Sequence, residues 1–547
     1  MSTGGEAVAG ALRAAGVDVV FGVPGVHNMG LWPHLEAKGI RIIGSRHEQG
    51  TAYAADGYAR TTGRLGVSLT TTGPGAANTV GAVGEAWASH SPILVISTDI
   101  PSTMRRPGVY RGVVHECVDQ AGLFTPVTKG AFVSRSPDDV AEIVAKAAEF
   151  ALAPPQGPVY VEFPCDFLEA TSTATPRQLE EFVPPPLDQK QLDEAVAIMD
   201  RLERPIVWVG GGGRDAHHQI DVLATRLGAP VITTFQARGL LPANHPLMLG
   251  LPPHEPNATA LIEASDGILV IGSDLDHMMT QGWLLPLPPT RVAINIDSAD
   301  ATKNYPMDLV LAGEATDVLT RINKLVVRDR EPWAGNLREI ESSTFLELAT
   351  DDSTAEAVQY MLSVRAAVPE EAVIFADMAV PGYWLSGLHR VQRHRGLHYP
   401  MGWGTLGFAF PASIGAAATI DAPVVCFNGD GGILFAIGEL ATVAQEQIPL
   451  TVVIVDDGGY GMLRYGKDVT ANRYGTELRS PDFAAIARGF GLTARATTGV
   501  GLEFETALRD AIASGEPNVL VTKARMTPPR TTSPRWPLRQ TGHTNAR

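Results

Sequence analysis

The stretch Asn428-Gly429-Asp430-Gly431-Gly432 sets one carboxylate among glycines. It follows an apolar run, Val424–Phe427, and precedes residues Ile433, Leu434, Ile437, Leu440 and Ala444, whose spacing predicts a helix over Ile433–Gln447. A glycine turn between a strand and a helix N-terminus is an anion site, because unbonded N–H groups and the positive end of the helix dipole face it. Glycine also lets the backbone approach a phosphate closely. The carboxylate of Asp430 would repel that phosphate unless a divalent cation sat between them, and oxygen-only ligands beside phosphate point to magnesium. The next apolar run, Val452–Val455, ends at Asp456-Asp457-Gly458-Gly459. In a parallel strand–helix–strand unit both strand ends lie on one edge of the sheet, so Asp430 and Asp457 can share one metal. Each Asp-Gly pair alone is also an ordinary turn; the paired spacing favours metal and phosphate.

Other candidates lie nearer the N-terminus. Glu48 stands between the run Ile40–Ile43 and a helical stretch, Gln49–Arg60. On residues alone it is an acid in a first helical turn, worth roughly a few tenths of a kcal/mol against the dipole. His27-Asn28 follows the turn Gly22-Val23-Pro24-Gly25; the imidazole is either a proton donor or a loop histidine. Gly73-Pro74-Gly75 reads as a rigid turn. Gly210-Gly211-Gly212-Gly213 follows a strand but lacks dinucleotide-loop spacing, since Asp215 stands where the third glycine belongs.

The elements that must position these residues are legible as alternation. Short runs rich in Val and Ile include Asp18–Phe21, Ile93–Ser97, Val159–Phe163, Ile206–Val209, Val231–Thr234, Ile268–Ile271, Val292–Ile296, Val373–Ala376 and Val519–Thr522. They do not alternate strictly, which suits parallel strands buried on both faces. Between them lie helical stretches such as Val140–Leu152 and Leu192–Leu202, predicting doubly wound α/β domains. Two stretches read as linkers: Thr171–Lys190, with Pro176, Pro184, Pro185 and Pro186, and the charged Val327–Thr344. They divide the chain into 1–170, 190–325 and 345–530. The segment from Thr527, and the tail 531–547 in particular, carries Pro534, Pro537, Arg535, Arg539 and Arg547; it reads as disordered, with a lid as the alternative.

Composition bounds the partners. The 547 residues are 45% hydrophobic and 19% charged, enough apolar material for several cores. Basic residues number 43 against 59 acidic ones, net −16, which argues against nucleic acid and anionic lipid. Cys117, Cys165 and Cys426 have no short spacing and suit a reducing cytoplasm. No signal peptide is recognised, and no apolar run approaches the length of about 18 residues that spans a membrane.

Gly429-Asp430-Gly431, then 24 residues, then Asp456-Asp457 resembles the thiamine-diphosphate motif, in which the second pair is Asn-Asn. Gly22-Val23-Pro24-Gly25, Arg46-His47-Glu48, Gly73-Pro74-Gly75-Ala76, Gly157-Pro158-Val159 and Gly404-Thr405-Leu406-Gly407-Phe408 occur in the order of the acetolactate synthase, pyruvate oxidase and benzoylformate decarboxylase group. The resemblance implies three doubly wound parallel-sheet α/β domains: pyrimidine-binding, central and diphosphate-binding. It implies that Glu48 binds N1′ of the aminopyrimidine, so that the 4′-amino group can take the C2 proton, and that Leu406 holds the cofactor bent. Gly25, Gly73 and Gly75 would border the pyrimidine, and Gly429, Gly431, Gly432 and Gly459 the diphosphate. Asp430, the side chain of Asp457 and the carbonyl of Gly459 would hold Mg2+, and His27 would face C2.

Where the acetolactate synthases have an Arg-rich segment, this chain reads Ser273-Asp274-Leu275-Asp276-His277-Met278-Met279, which argues against FAD. The Phe-Gln-Glu pocket segment reads His115-Glu116-Cys117, so the acceptor pocket differs. The resulting expectation is a cytoplasmic homodimer or homotetramer with sites between subunits. It decarboxylates a pyruvate-type 2-oxo acid and joins the product to a carbonyl acceptor. Simple decarboxylation and diketone cleavage are the alternatives within the family, and a cofactor-binding pseudoenzyme is the one outside it.

Overall fold

Valine and isoleucine runs that would leave too much apolar surface in water on either face form the interior strands of three parallel sheets. The computed structural model describes residues 2–106, 108–184, 186–326, 329–465 and 475–530. The first sheet runs Arg41–Gly44, Val19–Gly22, Gly66–Thr70, Ile93–Asp99, Val159–Pro164, Gly130–Val133. The second runs Val231–Thr233, Pro205–Val209, Gly267–Ile271, Thr290–Asn295, Leu309–Ala312. The third runs Leu397–His398, Val373–Ala376, Val424–Gly429, Leu450–Asp456, Asn518–Lys523, Thr493–Thr498. Every neighbouring pair in these sheets is parallel, as three doubly wound domains require.

The first and third sheets share one hydrophobic core, joined by the helices Glu48–Thr62 and Ala409–Ala417. Their contact needs glycine. A Cβ on Gly57 would collide with the Ala412 carbonyl oxygen, and one on Gly415 with that of Ala54. Beside this seam Arg60, 2% exposed, pairs with Asp56 at 2.7 Å and with Glu85 at 3.1 Å, and stacks on Phe408. Glu85 also accepts the N–H groups of Gly402 and Trp403. A charge triad this deep is tolerable only because each member is paired, and it ties the first domain to the approach to Leu406.

The Val140–Leu152 helix forms as expected, and Gln49–Arg60 extends to Glu48–Thr62, with the His47 ring accepting from the N–H of Gln49 and Gly63 closing the end at φ 72°. Ile433–Gln447 is not one helix. A single turn, Asp430–Ile433, is followed by a break and a 3₁₀ turn, Ile437–Glu439, before Leu440–Glu446. Gly431, Gly432 and Gly438 weaken the helix there. The Glu439 carboxylate holds the break by accepting the N–H groups of Arg46 and His47.

The charged stretch expected as a linker over 327–344 is also corrected. Residues 337–350 form a helix, so the boundary expected at 345 falls inside it. Glu341, 5% exposed, accepts the N–H of Gly250 and pairs with Arg390. In the first linker, residues 173–184 have no helix or strand, and the next helix begins at Gln189. The tail 531–547, with Pro534, Pro537, Arg535, Arg539 and Arg547, lies outside the described residues.

Candidate active site

The candidate residues fall into two clusters, each at the carboxyl ends of one sheet. In the third domain, Val424–Gly429 delivers Asp430 as the first residue of a helical turn, with Gly429 as its cap. A cavity of ≈ 250 Å3 opens there, lined by Gly429 to Gly432, Leu406, Asp457 and Gly459 and by the apolar Met378, Met462 and Leu463. Asp430 is 2% exposed, and burial together with the Asp457 and Asp456 carboxylates pushes its pKa up to about 6. The Ser480 hydroxyl lies 2.7 Å from Asp456 and 3.1 Å from Asp430. Burial also raises Asp457, against the opposing pull of Arg464, which stands 3.1 Å from it and also pairs with Glu477 at 3.0 Å.

Among the described residues no group of three or more His, Cys, Asp or Glu side chains could by itself hold a metal ion. A cation at Asp430 and Asp457 therefore needs further oxygens, from a main-chain carbonyl and from its ligand. Gly458 at φ 80° and Gly459 at φ 153° take backbone conformations that fit glycine, and a Cβ on Gly461 would strike the Asp457 carboxylate. The turn can thus come close to a bound group.

Leu406 lies between Gly404 at φ 67° and Gly407 at φ 77° and lines the same cavity. What holds it is Asp377, a fully buried acid at the end of Val373–Ala376. Its carboxylate accepts the N–H groups of Gly407, Phe408 and Ala409 at 3.0, 3.1 and 3.3 Å. Burial outweighs those bonds and pushes its pKa up to about 6.

The second cluster sits in the first domain. Glu48 opens its helix and accepts a hydrogen bond from the Asn78 side chain at 2.9 Å. A Cβ on Gly25 would lie 2.6 Å from Thr71, and one on Gly75 would lie 2.8 Å from Thr71 and 3.5 Å from the Glu48 carboxylate. Gly25, Gly75, Thr71 and Glu48 are therefore one packed unit. Gly73, at φ 67°, donates its N–H to Gln120, whose amide in turn donates to Tyr160 and Glu162. Asn28 fixes the preceding turn, accepting from the N–H of Gly25 and from the Trp32 indole and donating to the Val23 carbonyl. His27 is half-buried beside His115, and burial first, then His115, lowers its pKa. Neither Glu48 nor His27 lines the cavity at Asp430.

Sequence reasoning missed several residues here. Asp377 carried a signal, an acid directly after a buried run. Ser480, Arg464, Thr71 and Gln120 carried none: the partners of Ser480 lie 24 and 50 residues away and those of Gln120 lie 40, 42 and 47 away, so these contacts emerge only on folding. In the central domain, the Gly210–Gly213 run packs on the strand end at Gly272, where a Cβ would collide with Gly212. Asp274 pairs with Lys303, and Asp276 accepts the N–H groups of Met278 and Met279.

Comparison with known proteins matches three sequence models. These are the thiamine pyrophosphate enzyme N-terminal TPP-binding domain over residues 2–123, the central domain over 192–322 and the C-terminal TPP-binding domain over 377–522. A probable 2-ketoarginine decarboxylase of Pseudomonas aeruginosa is 32% identical over 90% of this chain and 89% of its own length. A probable acetolactate synthase large subunit of Methanocaldococcus jannaschii is 29% identical over 94% of this chain and 91% of its own. The structure of the Rhodococcus jostii thiamine diphosphate-dependent 4-hydroxybenzoylformate decarboxylase superposes with a TM-score of 0.82 at 25% identity, covering 96% of this chain and 100% of that one. With three domain models in register and relatives aligned over nearly the whole length, the chain belongs to the thiamine pyrophosphate enzyme family and is an enzyme of carbon–carbon bond cleavage or transfer.

Proposed function

We propose that this chain is a magnesium-dependent member of that family that decarboxylates a pyruvate-type 2-oxo acid and joins the product to a second carbonyl, forming a 2-hydroxyketone. The observation that carries the reading is the convergence of Asp430, Asp457 and a glycine turn on one cavity that Leu406 also lines, with Asp430 pushed up by burial and then by neighbouring like charge. Buried carboxylates of this kind call for a cation, and hard oxygen ligands suit magnesium. Asp430, the Asp457 side chain and the Gly459 carbonyl would hold it. The Gly429, Gly431 and Gly432 backbone would take the diphosphate, and Leu406 would press the cofactor into its bent form.

When bound, thiamine diphosphate supplies a nucleophilic carbon and an electron sink for the carbanion left by decarboxylation. Glu48 would exchange a proton with the aminopyrimidine ring nitrogen, bordered by Gly25, Gly73 and Gly75, and His27 would hold a proton for the substrate oxygen. Glu48 lies outside the Asp430 cavity of its own chain, which supports a site completed by a second copy and so a dimer or tetramer. The acids Asp274 and Asp276, in place of arginines, support a central domain without FAD.

Simple decarboxylation is the second reading, favoured by two relatives whose names are those of decarboxylases. Incubation with thiamine diphosphate, magnesium and a panel of 2-oxo acids, with and without an added aldehyde or diketone, separates them. Carbon dioxide with a ligated product supports carboligation; carbon dioxide with free aldehyde alone favours decarboxylation. No carbon dioxide from any 2-oxo acid, and no cleavage of a diketone, would leave the pseudoenzyme.

A further inference from the structure

Eighty-eight residues apart in the chain, His27 and His115 meet edge to face with ring centroids 5.2 Å apart. Their approach is imposed by the backbone. His27 leaves a turn pinned by three hydrogen bonds of Asn28. His115 takes a left-handed conformation, φ 68°, rare for a residue with a side chain and a mark of a position held by its surroundings. Its carbonyl oxygen lies over Gly73, 2.5 Å from where a Cβ would stand. Both imidazoles are thereby fixed to the turns that border Glu48. The Nδ1 atoms of both rings are buried and, among the described residues, neither has a hydrogen-bond partner. Buried polar atoms left open at a packed site are places where a bound group supplies the missing partner.

We propose that His115 is a positioning residue for catalysis: it sets the protonation of His27, and the two rings work as a pair that carries a single proton toward the substrate oxygen. This rests on the thiamine-dependent reading above and adds to it a residue that reading does not use. Two imidazolium charges at this distance repel, so protonation of one ring disfavours protonation of the other. The surrounding charges are Asp99, which favours the charged form of His27, and Arg105, which pairs with Asp99; Glu116 follows His115 in the chain and Glu48 lies beside the Gly75 turn. As the substrate carbonyl is attacked, the proton passes from an imidazolium N–H of the pair to the carbonyl oxygen, leaving a neutral ring and a hydroxyl. The same nitrogen takes it back when the product carbonyl forms. No net proton or electron is consumed.

The test follows His27 itself. In full-length protein the His27 ring resonance, assigned with His27→Gln, is titrated by NMR with and without thiamine diphosphate and magnesium. His115→Phe keeps the ring's burial and removes its charge, so His27 should titrate at higher pH, by roughly half a pH unit or about a threefold gain in proton affinity. The alkaline limb of turnover should move the same way, and cofactor should shift the His27 resonance in wild type. If His115→Phe fails to fold, His115→Gln is titrated instead. A His27 titration unchanged in the folded variant, or a resonance blind to cofactor, overturns the pair. Failure of the underlying reading shows elsewhere: Glu48→Gln would keep full turnover while the cofactor-free titration of His27 still reports on His115.

Discussion

The first and third domains have the same sheet. Numbered along the chain within each, the strands lie in the order 2-1-3-4-6-5 in both. The turns at the carboxyl ends then correspond one to one. The Gly22-Val23-Pro24-Gly25 turn stands where Asp377 stands, Glu48 where Leu406 stands, Gly73-Pro74-Gly75 where Gly429-Asp430-Gly431 stands, and the segment carrying His115 where Asp457 stands. Even the helices after the second strands correspond, and these two pack on each other reciprocally through Gly57 and Gly415. Fold alone therefore does not decide chemistry. One copy of the scaffold gathers buried carboxylates, which we propose hold a cation; the other gathers a single carboxylate, two imidazoles and close-packed glycines, which we propose border the pyrimidine. The candidate residues of both copies sit in four corresponding turns.

The sharpest way to break this comparison is to remove the acid from the half proposed to handle protons. Glu48→Gln keeps size and the contact with Asn78 but cannot exchange a proton. Turnover should fall by about 10²–10⁴-fold, the range of a general acid or base. Cofactor affinity, measured by titration calorimetry, should change little. Loss of binding in step with turnover would make Glu48 a binding residue only.

Next in size is the seam. Because Gly57 and Gly415 play matching parts, Gly57→Val and Gly415→Val should destabilise the chain alike. Each drives a side chain into a backbone carbonyl, costing about 3 kcal/mol or more, at or beyond the upper end for overpacking. Chemical denaturation of both variants checks this. A cost in one alone would show that the two helices are not equivalent.

The charge difference predicts a pH effect of on the order of 2–3 kcal/mol per group. Burial pushes Asp377 and Asp430 each up to about 6 in the folded chain, against about 3.9 when unfolded. An acid whose folded pKa is raised binds its proton more tightly in the native state. Its stabilising contribution is thus full below about pH 4 and is lost as pH rises through 6. Cofactor-free protein should lose stability over that window, and Asp377→Asn and Asp430→Asn should each flatten the loss. Magnesium with thiamine diphosphate should restore stability at pH 7 in Asp377→Asn but not in Asp430→Asn, which melting curves at several pH values would reveal.

These correspondences were only partly legible in the sequence. Parallel strands buried on both faces advertise themselves by runs such as Val452–Val455, and a glycine turn after such a run marks an edge where ligands bind. Gly66–Thr70 carries Ser68 and Thr70, which read as solvent-facing in a strand, yet both are buried, and Ser68 meets Thr51 at 2.6 Å. Thr493–Thr498 is an edge strand, with too few apolar residues to be recognised. The break after Ile433 depends on Glu439 reaching Arg46 and His47, almost 400 residues away, and no local period encodes that. The meeting of His27 with His115 is hidden for the same reason.

The smallest expected effect concerns Asp457, where the chain has aspartate in place of the usual asparagine. An asparagine would keep the side-chain oxygen and lose one negative charge beside the metal and diphosphate that we propose bind there. Two unit charges about 4 Å apart interact by roughly 4 kcal/mol at an effective dielectric of 20, an upper scale for either contact. Here the charge is already shared, because Arg464 lies 3.1 Å from Asp457 and is held on its other side by Glu477. The extra attraction for the metal and the extra repulsion of the diphosphate are both damped, and they oppose each other. Asp457→Asn should therefore weaken magnesium retention only severalfold, and thiamine diphosphate affinity should stay level or rise. Arg464→Gln should do the reverse, strengthening the metal and weakening the diphosphate, because it exposes the full charge of Asp457. Calorimetric titrations of the two variants, with the metal and the cofactor varied separately, would test the pair. If both variants left metal affinity unmoved, Asp457 would be a turn residue, and the cation would rest on Asp430 and on oxygens outside this pair.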